Sequence, residues 1–294
     1  MASIAADAVD DTTNALESNE AEIFTYSPNP ESSGPTIIFI HGLGSSHLEF
    51  TQVHPHLQDD YHILLVDLPG HSRSRDVPRP YSYQAASAHV QRVIQRQAHG
   101  RQAHVVGLSL GGFVGLQLTA EAPDCVLSLF ATGATPFGGF RRALARRPRV
   151  LYVMSCATNW LVPAWLYNKL CDWLGIKRHP ELRREMEKNG QYSLISDGFT
   201  SLLDFGKERF VEVGKKDKRV LIVAGGKGDD VKGTKSMGMV LRESGSPLSK
   251  ATVVRKAYHA WDLQFPELFA AGIRAWIEEK ELPAQFEVLD STEM

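Results

Sequence analysis

The sequence predicts an α/β fold: a mostly parallel central sheet flanked by helices, with a helical cap inserted after the sixth sheet strand. Three observations carry the prediction. First, apolar runs of strand length recur as TIIFIHG (36–42), YHILLVDLPG (61–70), HVVGLSLGG (104–112), VLSLFATG (126–133), RVLIVAGG (219–226) and ATVVRKAYH (251–259). They are continuous rather than alternating, as strands covered on both faces require. Second, segments of helical period lie between several of them, at 82–98, 110–122 and 266–280. Third, the alternation stops between about 136 and 215, where arginines, aromatics and the helical-looking PELRREMEKNGQY replace it. The predicted organisation is an acidic tail over 1–21, a core built from 22–135 and 216–294, and a cap over 136–215.

At 294 residues, with 43% hydrophobic and 22% charged residues and a net charge of −2, the chain has the balance of a soluble globular protein, and no nucleic-acid partner is expected. Cys125, Cys156 and Cys171 form neither a CxxC pair nor a Cys/His ligand pattern, so no disulfide framework or zinc site is implied, and a reducing, cytoplasmic setting fits. The tail holds Asp7, Asp10, Asp11, Glu17 and Glu20, and no lysine or arginine precedes Arg73. Neither a secretory signal nor a mitochondrial presequence has that composition.

EIFTYS (22–27) is the one strand-like stretch before TIIFIHG, which runs directly into HGLGSS (41–46). Gly42 and Gly44 permit a tight loop that turns a backbone N–H, that of Leu43, toward a reacting oxygen, with His41 hydrogen-bonding to fix the turn. After YHILLVDLPG and the helix over 82–98, VVGLSLGGFVG places Ser109 between Gly107 and Gly111 where a strand passes into a helix. Such a turn pushes the serine hydroxyl above the sheet and aims the N–H of Leu110 at the same point, so that Leu43 and Leu110 make the two halves of an oxyanion hole.

The cap opens with Arg141, Arg142, Arg146, Arg147 and Arg149. The uncharged stretch VLYVMSCATNWLVPAWLYN (150–168) is broken by Ser155, Thr158, Asn159 and Pro163, which argues against a transmembrane segment and for a greasy lid, with contact of that lid with a membrane surface as a second reading. Tyr152, Trp160, Trp165, Tyr167 and Trp173 are candidates to line a pocket for an apolar substrate; the alternative is that they form the cap's own core.

RVLIVAGGKGDD ends in Asp229 and Asp230. The spacing from Gly226 favours Asp229 as an orienting acid, with Asp230 the alternative, and one of the two is expected to cap the next helix. GGKGDD lacks the ordered GxxxxGK[ST] of a phosphate loop. His259, just past the last apolar run, is the base candidate; His47, His54, His56, His71 and His89 read as surface or scaffold residues.

In chain order, the HG of the 41–46 loop, the GxSxG around Ser109, the GxxD turn from Gly226 to Asp229, and the tail element His259, Pro266, Phe269 resemble the α/β-hydrolase superfamily over about 36–282. The resemblance implies a serine hydrolase that cleaves an ester, lactone or related carbonyl bond of a small, largely apolar metabolite through an acyl-enzyme, with no cofactor or metal. Carbon-carbon bond hydrolysis, acyl transfer and a ligand-binding receptor on the same scaffold are the alternatives, and nothing in the sequence speaks to the oligomeric state. Two departures stand out. DLPGHSRS carries Ser72 where the family's DxxGxGxS has its second glycine, and the family's opening hairpin is reduced to EIFTYS.

Overall fold

The computed structural model describes residues 21–160 and 162–289, the side chains of 158–160 excepted, so nearly all of the acidic tail lies outside the described residues. The strands are β1 Thr25–Tyr26, β2 Thr36–Ile40, β3 His62–Val66, β4 Ala103–Leu108, β5 Val126–Thr132, β6 Val220–Gly225, β7 Lys250–Val254 and β8 Glu287–Val288. They form one sheet in the order β1-β3-β2-β4-β5-β6-β7-β8, with β1 and β8 antiparallel at the edges and the rest parallel. The chain steps outward from β2 to β3 and then returns to the other side of β2 as β4. The loops leaving β2 and β4 therefore part at the carboxyl ends of the strands, which is where open α/β sheets form their crevice.

Continuous hydrophobicity in the strands has a simple cause: both faces are covered. In β2, Ile38 and Ile40 join the cluster formed with Val90 of α1 (Tyr83–Gln97) and Val114 of α2 (Leu110–Glu121), while Ile37 and Phe39 point the other way, toward Phe269, Ile273 and Trp276 of the last helix, Pro266–Ile277. Full burial of such side chains contributes about 1.5–3 kcal/mol each, which anchors that helix through its inner face.

Between β5 and β6 the chain forms α3 (Gly139–Ala145), α4 (Pro148–Trp160), α5 (Ala164–Leu174), α6 (Pro180–Lys188), α7 (Tyr192–Leu202) and α8 (Lys207–Gly214); α9 (Val231–Glu243) and α10 (Pro266–Ile277) follow. The insertion thus follows the fifth strand of this chain rather than the expected sixth, because the single short β1, paired only with β3, stands in place of an opening hairpin. Its last helix, α8, packs on α2 and α9 and gives Phe210 and Val213 to the core. Cys125, Cys156 and Cys171 are unbridged.

Candidate active site

Ser109 sits between β4 and α2 at φ +54° and ψ −116°, a strained conformation for a residue with a side chain. Its neighbours make that turn possible. A Cβ on Gly107 would lie 2.3 Å from the Gly111 carbonyl oxygen, and one on Gly111 would lie 1.9 Å from that of Ile40, so helix and strand approach to a distance only glycine tolerates. The serine's own N–H donates to the Thr132 carbonyl at 2.8 Å, tying the turn to β5.

The loop after β2 is held from both sides. His41 donates from Nδ1 to the Gly42 carbonyl at 2.7 Å and accepts at Nε2 from the Leu68 N–H at 3.0 Å. His71 repeats the arrangement, with Nδ1 toward the Pro69 carbonyl and Nε2 accepting the Gly44 N–H at 3.0 Å. Both roles need a neutral ring. Burial pulls the His41 imidazole down to about 4 and that of His71 to about 3. The Gly42 N–H donates to Glu49 Oε2 at 2.8 Å and the Ser45 N–H to the Gly42 carbonyl at 3.1 Å. Among the described residues, no protein group accepts from the N–H of Leu43 or of Leu110, the two donors predicted for an oxyanion hole. The loop lies beside the serine, since a Cβ on Gly42 would stand 3.5 Å from that of Ser109.

The two acids of GGKGDD separate. Asp229 Oδ1 meets His259 Nδ1 at 2.5 Å, and its Oδ2 accepts the Gly225 N–H at 2.7 Å; its side chain is 3% exposed. Asp230 instead caps α9, accepting the Gly233 N–H at 2.9 Å. Burial pulls the His259 imidazole down, but the hydrogen bond and charge of Asp229 outweigh it and its pKa is raised overall. Gly133, at φ +66°, makes room for this ring: a Cβ there would lie 2.5 Å from His259 Cε1. Arg141 of α3 hydrogen-bonds the Gly228 carbonyl of the acid's loop. No hydrogen bond joins Ser109 to His259 among the described residues; such bonds often tighten only when substrate closes the site.

Ser109, His259, Leu43 and Glu49 line one cavity of about 460 Å³. Its roof comes from the insertion, with Leu151 and Met154 of α4, Met186 of α6, and Ile195 and Phe199 of α7. The aromatic candidates lie elsewhere: Tyr152 meets Tyr192 edge-on at 5.5 Å, whereas Trp165 and Trp173 are 62% and 77% exposed on the outside of α5. The side chain of Trp160 is outside the described residues.

Asn189, absent from the sequence reading, ties the insertion to the core. It is 1% exposed; Oδ1 accepts the Ser72 N–H at 2.7 Å, and Nδ2 donates to the Ser45 carbonyl at 2.7 Å and to Ser72 Oγ at 2.9 Å. Ser72 stands at φ +42°, so the serine that replaces the family's glycine keeps the glycine-like backbone and is held there by Asn189. Among the described residues, no group of three or more His, Cys, Asp or Glu is placed to hold a metal ion.

The model of the Alpha/beta hydrolase family matches residues 37–272. The chain belongs to that family. Among its relatives, an AB hydrolase superfamily protein of Gibberella zeae is 30% identical over 298 residues, covering 98% of this chain and 96% of that one. A pimeloyl-[acyl-carrier protein] methyl ester esterase of Neisseria meningitidis is 30% identical over 257 residues, 82% of this hydrolase-family chain and 76% of the relative. The solved enol-lactonase of Burkholderia xenovorans LB400 shares the fold at a TM-score of 0.65 and 15% identity, covering 87% of this chain and 96% of that one.

Proposed function

We propose that the protein is a serine hydrolase that cleaves an ester, lactone or related carbonyl bond of a small, largely apolar molecule through an acyl-enzyme. One observation carries the reading. A serine on a strained elbow faces a cavity shared with a histidine whose far nitrogen is held by a buried carboxylate, beside a loop on which the Leu43 N–H has no protein acceptor among the described residues. In this reading His259 takes the Ser109 proton as the hydroxyl attacks the carbonyl carbon. Asp229 fixes the ring so that Nε2 is the basic nitrogen, and steadies the imidazolium that forms. The N–H groups of Leu43 and Leu110 receive the oxyanion, each such donor being worth about 10²–10³-fold in rate. His259 then protonates the leaving alkoxide; water, activated by the same ring, attacks the acyl-serine and releases the acid. These steps need no cofactor.

Helices α3–α7 serve as the cap in this account, and their Leu, Met, Ile and Phe side chains favour an apolar acyl group. The Neisseria methyl ester esterase and the Burkholderia enol-lactonase act on an ester and an enol-lactone, which supports the bond class. The test is a panel of aryl esters of increasing acyl length and of lactones, with product and intact mass followed after rapid quench. An acyl adduct on Ser109 and a preference for apolar acyl groups are expected; turnover of neither class, or undiminished turnover by Ser109→Ala, overturns the reading.

A second feature concerns where the cap sits. No helix among the described residues is long and apolar enough to cross a membrane. Yet Leu166, Leu170 and Trp173 form an exposed apolar stripe on α5 flanked by Trp165 and Lys169, and residues 136–203 carry eleven lysines and arginines against five aspartates and glutamates. An exposed, tryptophan-bearing apolar stripe on a segment of net positive charge suits an anionic lipid surface.

A further inference from the structure

Two helices of the insertion touch the chain that follows β2. Helix α6 is pinned to it at both ends. At its start His179 accepts the Leu182 N–H at Nδ1, 3.2 Å away, which leaves Nε2 to carry the proton and donate to Thr51 Oγ1 at 2.6 Å. That hydroxyl passes its own proton to the Leu48 carbonyl at 2.8 Å. Just past the end of α6, Asn189 donates from Nδ2 to the Ser45 carbonyl at 2.7 Å and stands 3.3 Å from that of Gly44. Helix α7 meets the loop through packing instead. A Cβ on Gly198 would lie 2.6 Å from Leu43 Cδ1 and 3.0 Å from Cδ2, so the Leu43 side chain rests on bare helix backbone. Met186 precedes Asn189 by three positions and Ile195 precedes Gly198 by three, and both Met186 and Ile195 line the cavity. At that spacing a cavity wall and a grip on the loop share one side of each element.

We propose that Asn189 and Gly198 are positioning residues for the oxyanion hole, so that the cap and not the core alone sets where the Leu43 N–H stands. The inference rests on the reading under Proposed function. The core holds this loop by its N–H groups, with Glu49 accepting that of Gly42 and His71 that of Gly44. The cap supplies the complementary contacts, a donor for the Ser45 carbonyl and a seat for the Leu43 side chain. Between those two sets of contacts lies the peptide whose N–H would receive the oxyanion. Neither Asn189 nor Gly198 makes or breaks a bond in the reaction. The oxyanion exists only beyond the ground state, so a misplaced donor lowers kcat and leaves KM where it was.

Gly198→Ala separates this role from a structural one, because alanine favours a helix over glycine while its methyl displaces Leu43. With an activated ester, kcat should fall about tenfold, part of the about 10²–10³-fold that one oxyanion donor supplies, with KM unchanged and no loss of melting temperature. Asn189→Ala should lower kcat in the same way. Wild-type kcat in folded Gly198→Ala, or a raised KM with kcat intact, overturns the proposal. Hydrogen exchange reads the coupling without turnover. The Gly44 and Ser45 N–H groups, both hydrogen-bonded in the wild type, should exchange faster in Asn189→Ala, while the elbow amides of Gly112 and Phe113 keep their protection. Unchanged exchange at Gly44 and Ser45 overturns the proposal as well. Wild type that turns over no ester and takes no fluorophosphonate at Ser109 defeats the hydrolase reading instead, and the exchange comparison still decides whether the cap holds the loop.

Discussion

Replacing Gly133 by alanine tests how tightly the base is seated. The new Cβ would stand 2.5 Å from His259 Cε1 and 2.9 Å from Nδ1, on a residue whose φ is +66°. Carbon-carbon contacts relax at roughly 3.5 Å, so ring and methyl must part by about 1 Å. The ring is anchored to Asp229 at 2.5 Å, and the displacement comes out of that bond. A misplacement of about 1 Å costs on the order of 10²-fold in rate. The backbone at positive φ adds about 1–2 kcal/mol of destabilisation, which lowers Tm by a few degrees. Steady-state kinetics on an activated ester, with a thermal melt alongside, should therefore show about a 100-fold loss in kcat/KM from protein that still melts cooperatively. Wild-type kcat/KM in folded Gly133→Ala would refute the reasoning.

Other consequences can be checked on the same protein. Asp229→Asn should lower kcat by about 10⁴-fold, whereas Asp230→Ala should cost about 1 kcal/mol of stability through its lost helix cap and leave kcat intact; the reverse pattern in kinetics and melts would contradict the separation of the two acids. Because the base must be neutral and Asp229 raises the His259 pKa, activity should rise with pH through a midpoint above the usual 6.5, and that midpoint should drop when Asp229 is neutralised. The stability that this pair adds is present below the unfolded histidine value and lost as pH rises through the folded one, so melts of wild type and His259→Gln should converge in alkali. Asn189→Ala leaves the Ser72 N–H and the Ser45 carbonyl unpaired at a buried position, at about 1–3 kcal/mol for each, and an unchanged melting temperature would argue against its role as the tie between cap and core. Sedimentation with vesicles should show binding that requires anionic lipid and weakens in the double variant Trp165→Ser, Trp173→Ser; equal binding to neutral vesicles would count against the anionic-lipid reading.

What could be read ahead of the structure follows from how local each requirement is. The elbow at Ser109 and the loop at 41–46 announce themselves because backbone that close to backbone admits only glycine, and glycine spacing is visible in a sequence. Separating Asp229 from Asp230 needed the direction of each side chain, although the rule that one of two adjacent acids caps the following helix already named both roles. Asn189 and Gly133 carried no signal: one matters through partners distant in the chain, the other through a volume it leaves empty. His71 was read as scaffold, and its hold on the Gly44 N–H became visible only once the loops after β2 and β3 were placed together. The cap aromatics misled for a physical reason. Helical period shows that α5 has two faces, but the cavity took its roof from α4, α6 and α7, leaving Trp165 and Trp173 outside.

The central claim, that Ser109 is a nucleophile activated by His259, is tested most directly by a fluorophosphonate probe and intact mass, since covalent capture needs no knowledge of the substrate. The account predicts a single adduct on wild type, mapped to Ser109, absent from Ser109→Ala and strongly slowed in His259→Ala. Folded wild-type protein that takes up no probe, or takes it up equally in all three forms, would contradict it.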